Sequence, residues 1–114
     1  MPINADEIFA EMMDAAEGAF MDGWVAVKTY APAEFKKMAV QLAEIAENVA
    51  LYEMDKTQGY PLKTGKILFK MQRTACESVL VAVTQLKIIA VQKALNAIMK
   101  VLRDTFSGII GAVV

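Results

Sequence analysis

Three carboxylates, one thiol and a run of basic side chains are the groups in this chain that chemistry could use. Glu44 and Glu47 lie one helical turn apart, and Glu77 stands on a separate predicted helix. A carboxylate-bridged metal pair in a helical bundle takes Glu from facing helices and adds a Glu-x-x-His motif. The sequence holds no His, so the donor set is incomplete and the three carboxylates read as solvated helix-face acids. The missing His also removes imidazole general-base chemistry and imidazole metal ligation. Cys76 is the single cysteine, which excludes an internal disulfide and a cysteine-cluster metal site. A nucleophilic cysteine needs an activating base or positive surroundings. Arg73 is one turn away, but Cys76 sits beside Ala75 and Val79 near an apolar stripe and reads as a buried structural thiol. No catalytic, cofactor-binding or metal-binding residue is expected.

Lys63, Lys66, Lys70 and Arg73 form a basic ridge that could meet phosphate or lipid headgroups. Only Phe69 lies among them, so the aromatic interleaving that stacks bases is missing. Thr64-Gly65-Lys66 has the wrong glycine spacing for a phosphate loop, and no strand precedes it. The net charge is −1 and the pI about 5.4, which argues against nucleic acid as a partner. That small net charge conceals two charged halves. Residues 1–55 carry eleven acids against three bases, a net −8, and residues 56–114 carry two acids against nine bases, a net +7. The ridge is expected to pair internally with the acidic N-terminal half. The sharper alternative is that acidic and basic faces of neighbouring copies meet.

The elements that must position these groups are helices. At 114 residues and 56% hydrophobic content, the chain is long enough for one domain, residues 1–114, and too apolar for disorder. Asn4 suits an N-cap with Glu7 three residues on, and Ile3 and Ile8 occupy the staple positions. A helix is expected over 5–22, with a short apolar connector at Trp24, Val25 and Val27. Pro32 opens a second helix over 32–56, with Phe35, Met38, Ala39, Leu42, Ile45, Ala46 and Val49 on its apolar face. From Gly65 to Phe106 there is neither Pro nor internal Gly. A straight helix there would run about 63 Å, far beyond a domain whose radius of gyration should be about 13 Å.

Projected at 100° per residue, this third segment (64–106) carries two stripes. Leu68, Met71, Ala75, Val79, Ala82, Val83, Leu86 and Ile89 form the first, which is expected to face the core. Val91, Leu95, Ile98, Leu102 and Phe106 form the second, displaced by more than a quarter turn, with the switch near Lys87–Ala90. The expected fold is therefore all-α: a three-helix antiparallel hairpin or bundle whose long C-terminal helix either kinks at the switch or projects. Of the eight Met residues, Met12, Met13, Met38 and Met71 fit core positions, and Met21, Met54 and Met99 fit less well. Gly108 suits a helix C-terminal cap, and the tail 107–114 is apolar.

The surplus of apolar surface lies in the C-terminal third. Val91, Leu95, Ile98, Leu102, Phe106, Ile109, Ile110, Val113 and Val114 are expected to be an interface, because large exposed apolar patches mark interaction sites. The function expected is a non-enzymatic, self-assembling or structural protein, a homo-oligomer in the first place, with a helical protein partner as a further option. Leu95→Asp and Leu102→Asp should then dissolve an oligomer and leave the 32–86 hairpin folded. The rival reading is a membrane-active, holin- or pore-like helix whose Lys87, Lys93, Lys100 and Arg103 meet headgroups. A third is an adaptor that takes a partner helix in a Met-lined groove. The start of the sequence is acidic and amphipathic rather than signal-like, so synthesis in the cytoplasm is expected. Export without a cleaved signal, or incorporation into a virion, would leave no mark on it. No apolar run reaches the ~18–20 residues that span a bilayer.

The stretch from Ile67-Leu68-Phe69-Lys70-Met71-Gln72 to Ala97-Ile98-Met99-Lys100 resembles the C-terminal helix of type III secretion inner-rod and flagellar rod-base proteins. These are small helical subunits of export conduits. The resemblance needs a gap and covers only this segment; the helical N-terminal half departs from those families, whose N-termini tend to be polar and irregular. It implies assembly. A small phage or prophage structural or accessory protein is an equally good fit.

Overall fold

The computed structural model describes residues 4–106 and 108–114. Its elements are helices: α1 (Ala5–Phe20), a 3-10 turn at Met21–Gly23, a single-turn α2 (Trp24–Val27), α3 (Ala31–Met54), α4 (Leu62–Thr84), α5 (Ile88–Thr105) and a short α6 (Ile109–Val113). No strand occurs among the described residues. The four long helices run up, down, up and down. α1 and α4 lie across the bundle from one another, each packed between α3 and α5.

The start of α1 follows from its sequence. The Asn4 side-chain oxygen accepts the Asp6 backbone N–H at 2.7 Å, and Asp6 and Glu7 lie in the first turn, where acids complement the helix dipole. The staple partner Ile3 lies outside the described residues. Ile8, Met12, Ala16 and Phe20 then recur on the buried face. α3 buries Phe35, Met38, Ala39, Leu42, Ile45 and Val49 as their spacing predicts. Phe20 and Phe35 stack, ring centroids 6.4 Å apart, where α1 meets the start of α3.

The α3–α4 turn depends on Gly59, at φ +62°, which lets the Tyr60 N–H donate to the Asn48 carbonyl; a Cβ at Gly59 would stand 2.0 Å from that carbonyl oxygen. Gly65 makes the helix crossing close. A Cβ there would lie 2.8 Å from Ile45 Cγ2, so the notch admits the Ile45 side chain.

The expected single C-terminal helix is two helices. α4 ends at Thr84, Gln85 takes a left-handed φ of +64°, and α5 starts at Ile88 and runs back along α4. The chain is thus a bundle of four principal helices and not a three-helix hairpin. Neither Gly nor Pro marks the break. Thr84 supplies it instead: its hydroxyl donates to the Leu80 carbonyl and accepts the Leu86 N–H at 3.2 Å, in place of continued helix. Across the new helix pair, Arg73 of α4 donates to the Asn96 side chain of α5, and Gln92 donates to Glu77 at 3.4 Å.

α1, at 16 residues, is 8 shorter than α3, a difference of about 12 Å along the bundle. α6 occupies part of that gap and packs on α3, α4 and α5.

Candidate interaction surface

The second stripe of the C-terminal third closes this bundle from inside. Val91, Leu95, Ile98 and Leu102 are fully buried, with Ala94 and Met99 beside them. Ile110 is buried, Val113 nearly so, and Phe106, Ile109 and Val114 are partly buried against the same core. Most of the expected interface is therefore covered by the chain's own helices. α1 packs along α5, a cover that becomes available only because the chain reverses at Gln85–Lys87.

The first stripe has the opposite fate. Met71 is 64% exposed, Ile67 55%, Val83 41% and Val79 37%; Ala75 and Ala82 are exposed between them. Ile67, Met71, Ala75, Val79 and Val83 are each four residues apart, and so form a ridge of neighbours that winds about 160° around α4 from Ile67 to Val83. Of the stripe expected inside, only Leu68 and Leu86 touch the core. The face that α4 buries is Gly65, Phe69, Cys76, Glu77 and Leu80. α4 is apolar on two sides, and packing selects the side with the aromatic ring and the glycine notch. Met71 is accordingly a surface residue and Met99 a core residue, the reverse of their expected places. Met21 and Met54 are exposed, at 75% and 87%.

Charge follows the same division. The ion pairs among the described residues are Lys36–Asp6, Lys37–Glu34 and Arg73–Glu77. The first two lie within the acidic half and the third within the basic half, so none joins the two. Lys63, Lys66 and Lys70 stay exposed, Lys66 and Lys70 on the side of α4 that carries Arg73 and Glu77, unpaired with the acidic helices they were expected to meet. α1 turns Asp6, Glu7, Asp14 and Glu17 outward on the far side of the bundle.

The other chemical candidates resolve simply. Glu44 and Glu47 are exposed on α3 and Glu77 faces α5. No group of three or more acidic, Cys or His residues among the described ones can hold a metal ion. Cys76 is fully buried; burial, with lesser contributions from the Glu34 and Glu77 carboxylates, pushes its thiol up to about 12. The thiolate needed for nucleophilic chemistry is then scarce at neutral pH. No helix among the described residues is long and apolar enough to cross a membrane.

A second surface was not foreseen. Where α1 and α6 begin, the outer face of α3 floors, among the described residues, an apolar groove of about 610 Å³ bordered by Ala5, Ile109 and Ile110. Val40, Leu51 and Met54 line it, and so do the exposed Glu44 and Glu47. The sequence signal for it was present in the spacing of Val40, Glu47, Leu51 and Met54, which repeats at seven, four and three. Its visibility depended on knowing that α1 begins part-way along α3. Compared with known proteins, the chain matches no family model, no curated protein and no solved structure.

Proposed function

We propose that this chain is a non-enzymatic helical protein that works by self-association, with the outer face of α4 as its contact surface. The observation that carries this is the exposed row Ile67, Met71, Ala75, Val79 and Val83. The C-terminal third, first in line from sequence, is spent on the chain's own core. The α4 row takes its place.

Magnitudes set the expected strength. Fully burying a side chain of this size is worth about 1.5–3 kcal/mol, and these are roughly half exposed already. Four of them, with matching surface on the partner, supply several kcal/mol against an association cost of about 4–15 kcal/mol. The result is a reversible equilibrium that depends on concentration.

Light scattering coupled to size exclusion, over a concentration series at low and high salt, tests it. A mass that rises with concentration in the unaltered chain, and stays at one chain in Met71→Asp/Val79→Asp with helicity retained, is the expected result. A monomer at every concentration overturns it. If that monomer sediments with anionic phospholipid vesicles, the α4 face docks on membrane instead.

A further inference from the structure

We infer that the groove between α4, α5 and α6 is an anion site that takes the phosphate group of a phosphate monoester.

Each helix supplies one wall. From α4 come Lys66, Lys70 and Arg73, with Glu77 one turn on; the four fall within about 60° of one another around the helix. From α5 come the side-chain amides of Gln92 and Asn96, and from α6 the stretch Ala112 to Val114. The groove is open and of about 610 Å³, inside the roughly 300–1,000 Å³ typical of small-molecule sites. It lies across α4 from Met71 and Val79, so this reading does not depend on self-association.

Its charge is unbalanced. The lining side chains hold three cations and one carboxylate, a net +2. Both Glu77 oxygens are already engaged, Oε1 by Arg73 and Oε2 by Gln92. Lys66 and Lys70, one turn apart and exposed, have no carboxylate partner among the described residues, and like charges at that spacing repel. At the α6 wall the Val114 oxygen accepts from Arg103. The donors are also set in place. Arg73 is held by Glu77 and Asn96, and its guanidinium has further N–H groups to give. Asn96 accepts through Oδ1, which leaves its amide N–H groups for another acceptor.

A phosphate monoester answers each of these features. It carries a charge of about −1.5 to −2 at pH 7 and three acceptor oxygens, where a carboxylate carries a single charge. One guanidinium and two ammoniums give it charge-assisted hydrogen bonds, and an arginine already ordered gives up little freedom on binding. The α6 wall offers apolar contact and no side-chain donor, so the organic part of the ester lies there.

Phenyl phosphate, a monoester with a small apolar body, is the probe, added at constant ionic strength to the full, isotopically labelled chain. The amide spectrum reads place and affinity together. Saturable shifts of the Gln92 and Asn96 side-chain amides and of the Val113 backbone amide are expected. Lys66→Ala/Lys70→Ala is expected to weaken binding about tenfold or more; both positions are exposed, and circular dichroism checks the fold. Lys28→Ala/Lys87→Ala removes two exposed cations outside the groove and is expected to bind like the unaltered chain. Absent shifts, shifts that Lys66→Ala/Lys70→Ala keeps in full, or an equal loss in the control variant overturn the site.

Once the probe binds as expected, phosphatidylcholine vesicles with and without phosphatidic acid identify the source of the phosphate. Sedimentation with the phosphatidic acid vesicles alone, lost in Lys66→Ala/Lys70→Ala, assigns a lipid headgroup. No sedimentation with either assigns a soluble ester.

Discussion

Arg73 donates from Nε to Glu77 Oε1 at 3.3 Å, one turn along α4, on the side of that helix that faces α5. The guanidinium also donates to Asn96, and Glu77 accepts from Gln92. Four polar side chains thus hold the seam between two helices that the sequence presents as one. With this side of α4 turned to α5, Met71 and Val79 are left facing outward. The polar seam towards α5 and the exposed apolar row are two consequences of one helix rotation.

Removing the cation from that seam should be costly. Arg73→Ala leaves the Glu77 carboxylate, 9% exposed, with Gln92 as its remaining side-chain partner. A loss of about 1–3 kcal/mol is expected, read from urea denaturation. A loss within experimental error of zero would show that the seam contributes nothing to α4–α5 docking.

Leu95→Asp should unfold the whole bundle, not merely dissociate it. Leu95 is fully buried, as are Val91, Ile98 and Leu102, and even truncation to Ala at such a site costs about 2–5 kcal/mol. The 32–86 hairpin is then not expected to survive alone. Met71→Ala, by contrast, should change monomer stability by less than about 0.5 kcal/mol. Thermal melts of both variants at a concentration below the association range make the comparison. A folded Leu95→Asp monomer would contradict the placement of α5.

Gln85→Gly should stabilise the chain by up to about 1 kcal/mol. Gln85 ends α4 at φ +64°, a conformation that strains a residue with a Cβ and that Gly adopts freely. Chemical denaturation reads the change. A destabilised variant would place the reversal elsewhere.

Cys76 should react with a thiol reagent far more slowly in the native chain than in urea at pH 8. Its thiol is raised to about 12 from an ordinary value of 9.0, first by burial and then by Glu34 and Glu77. Raising it favours the protonated form in the fold. That contribution is present in full below about pH 9 and declines as pH rises from 9 towards 12, where the unfolded chain ionises first. The stability difference between the unaltered chain and Cys76→Ala should therefore shrink over that range. Rapid native labelling at pH 8 would show that α4 opens locally.

The sequence by itself determined the helical class, the first two long helices and the buried faces of α1 and α3. In α1 and α3 one face is apolar and the other polar, so period and burial agree without outside help. It also located a change of apolar face near Lys87, close to the reversal at Gln85–Lys87. It did not determine which face of α4 would be buried. Leu68, Met71, Val79 and Val83 on one side compete with Phe69, Cys76 and Leu80 on the other, and helical periodicity does not rank two apolar faces of one helix. Tertiary structure ranked them, through the Gly65 notch that admits Ile45 and the Arg73–Glu77 link to α5. The same cause displaced the expected interface. Once Thr84 and Gln85 reverse the chain, α5 gains α1 as a partner and its stripe is consumed, while the stripe of α4 is left in solvent. The groove on α3 belongs to the tertiary structure as well, because it lies where the shorter α1 begins part-way along the longer α3.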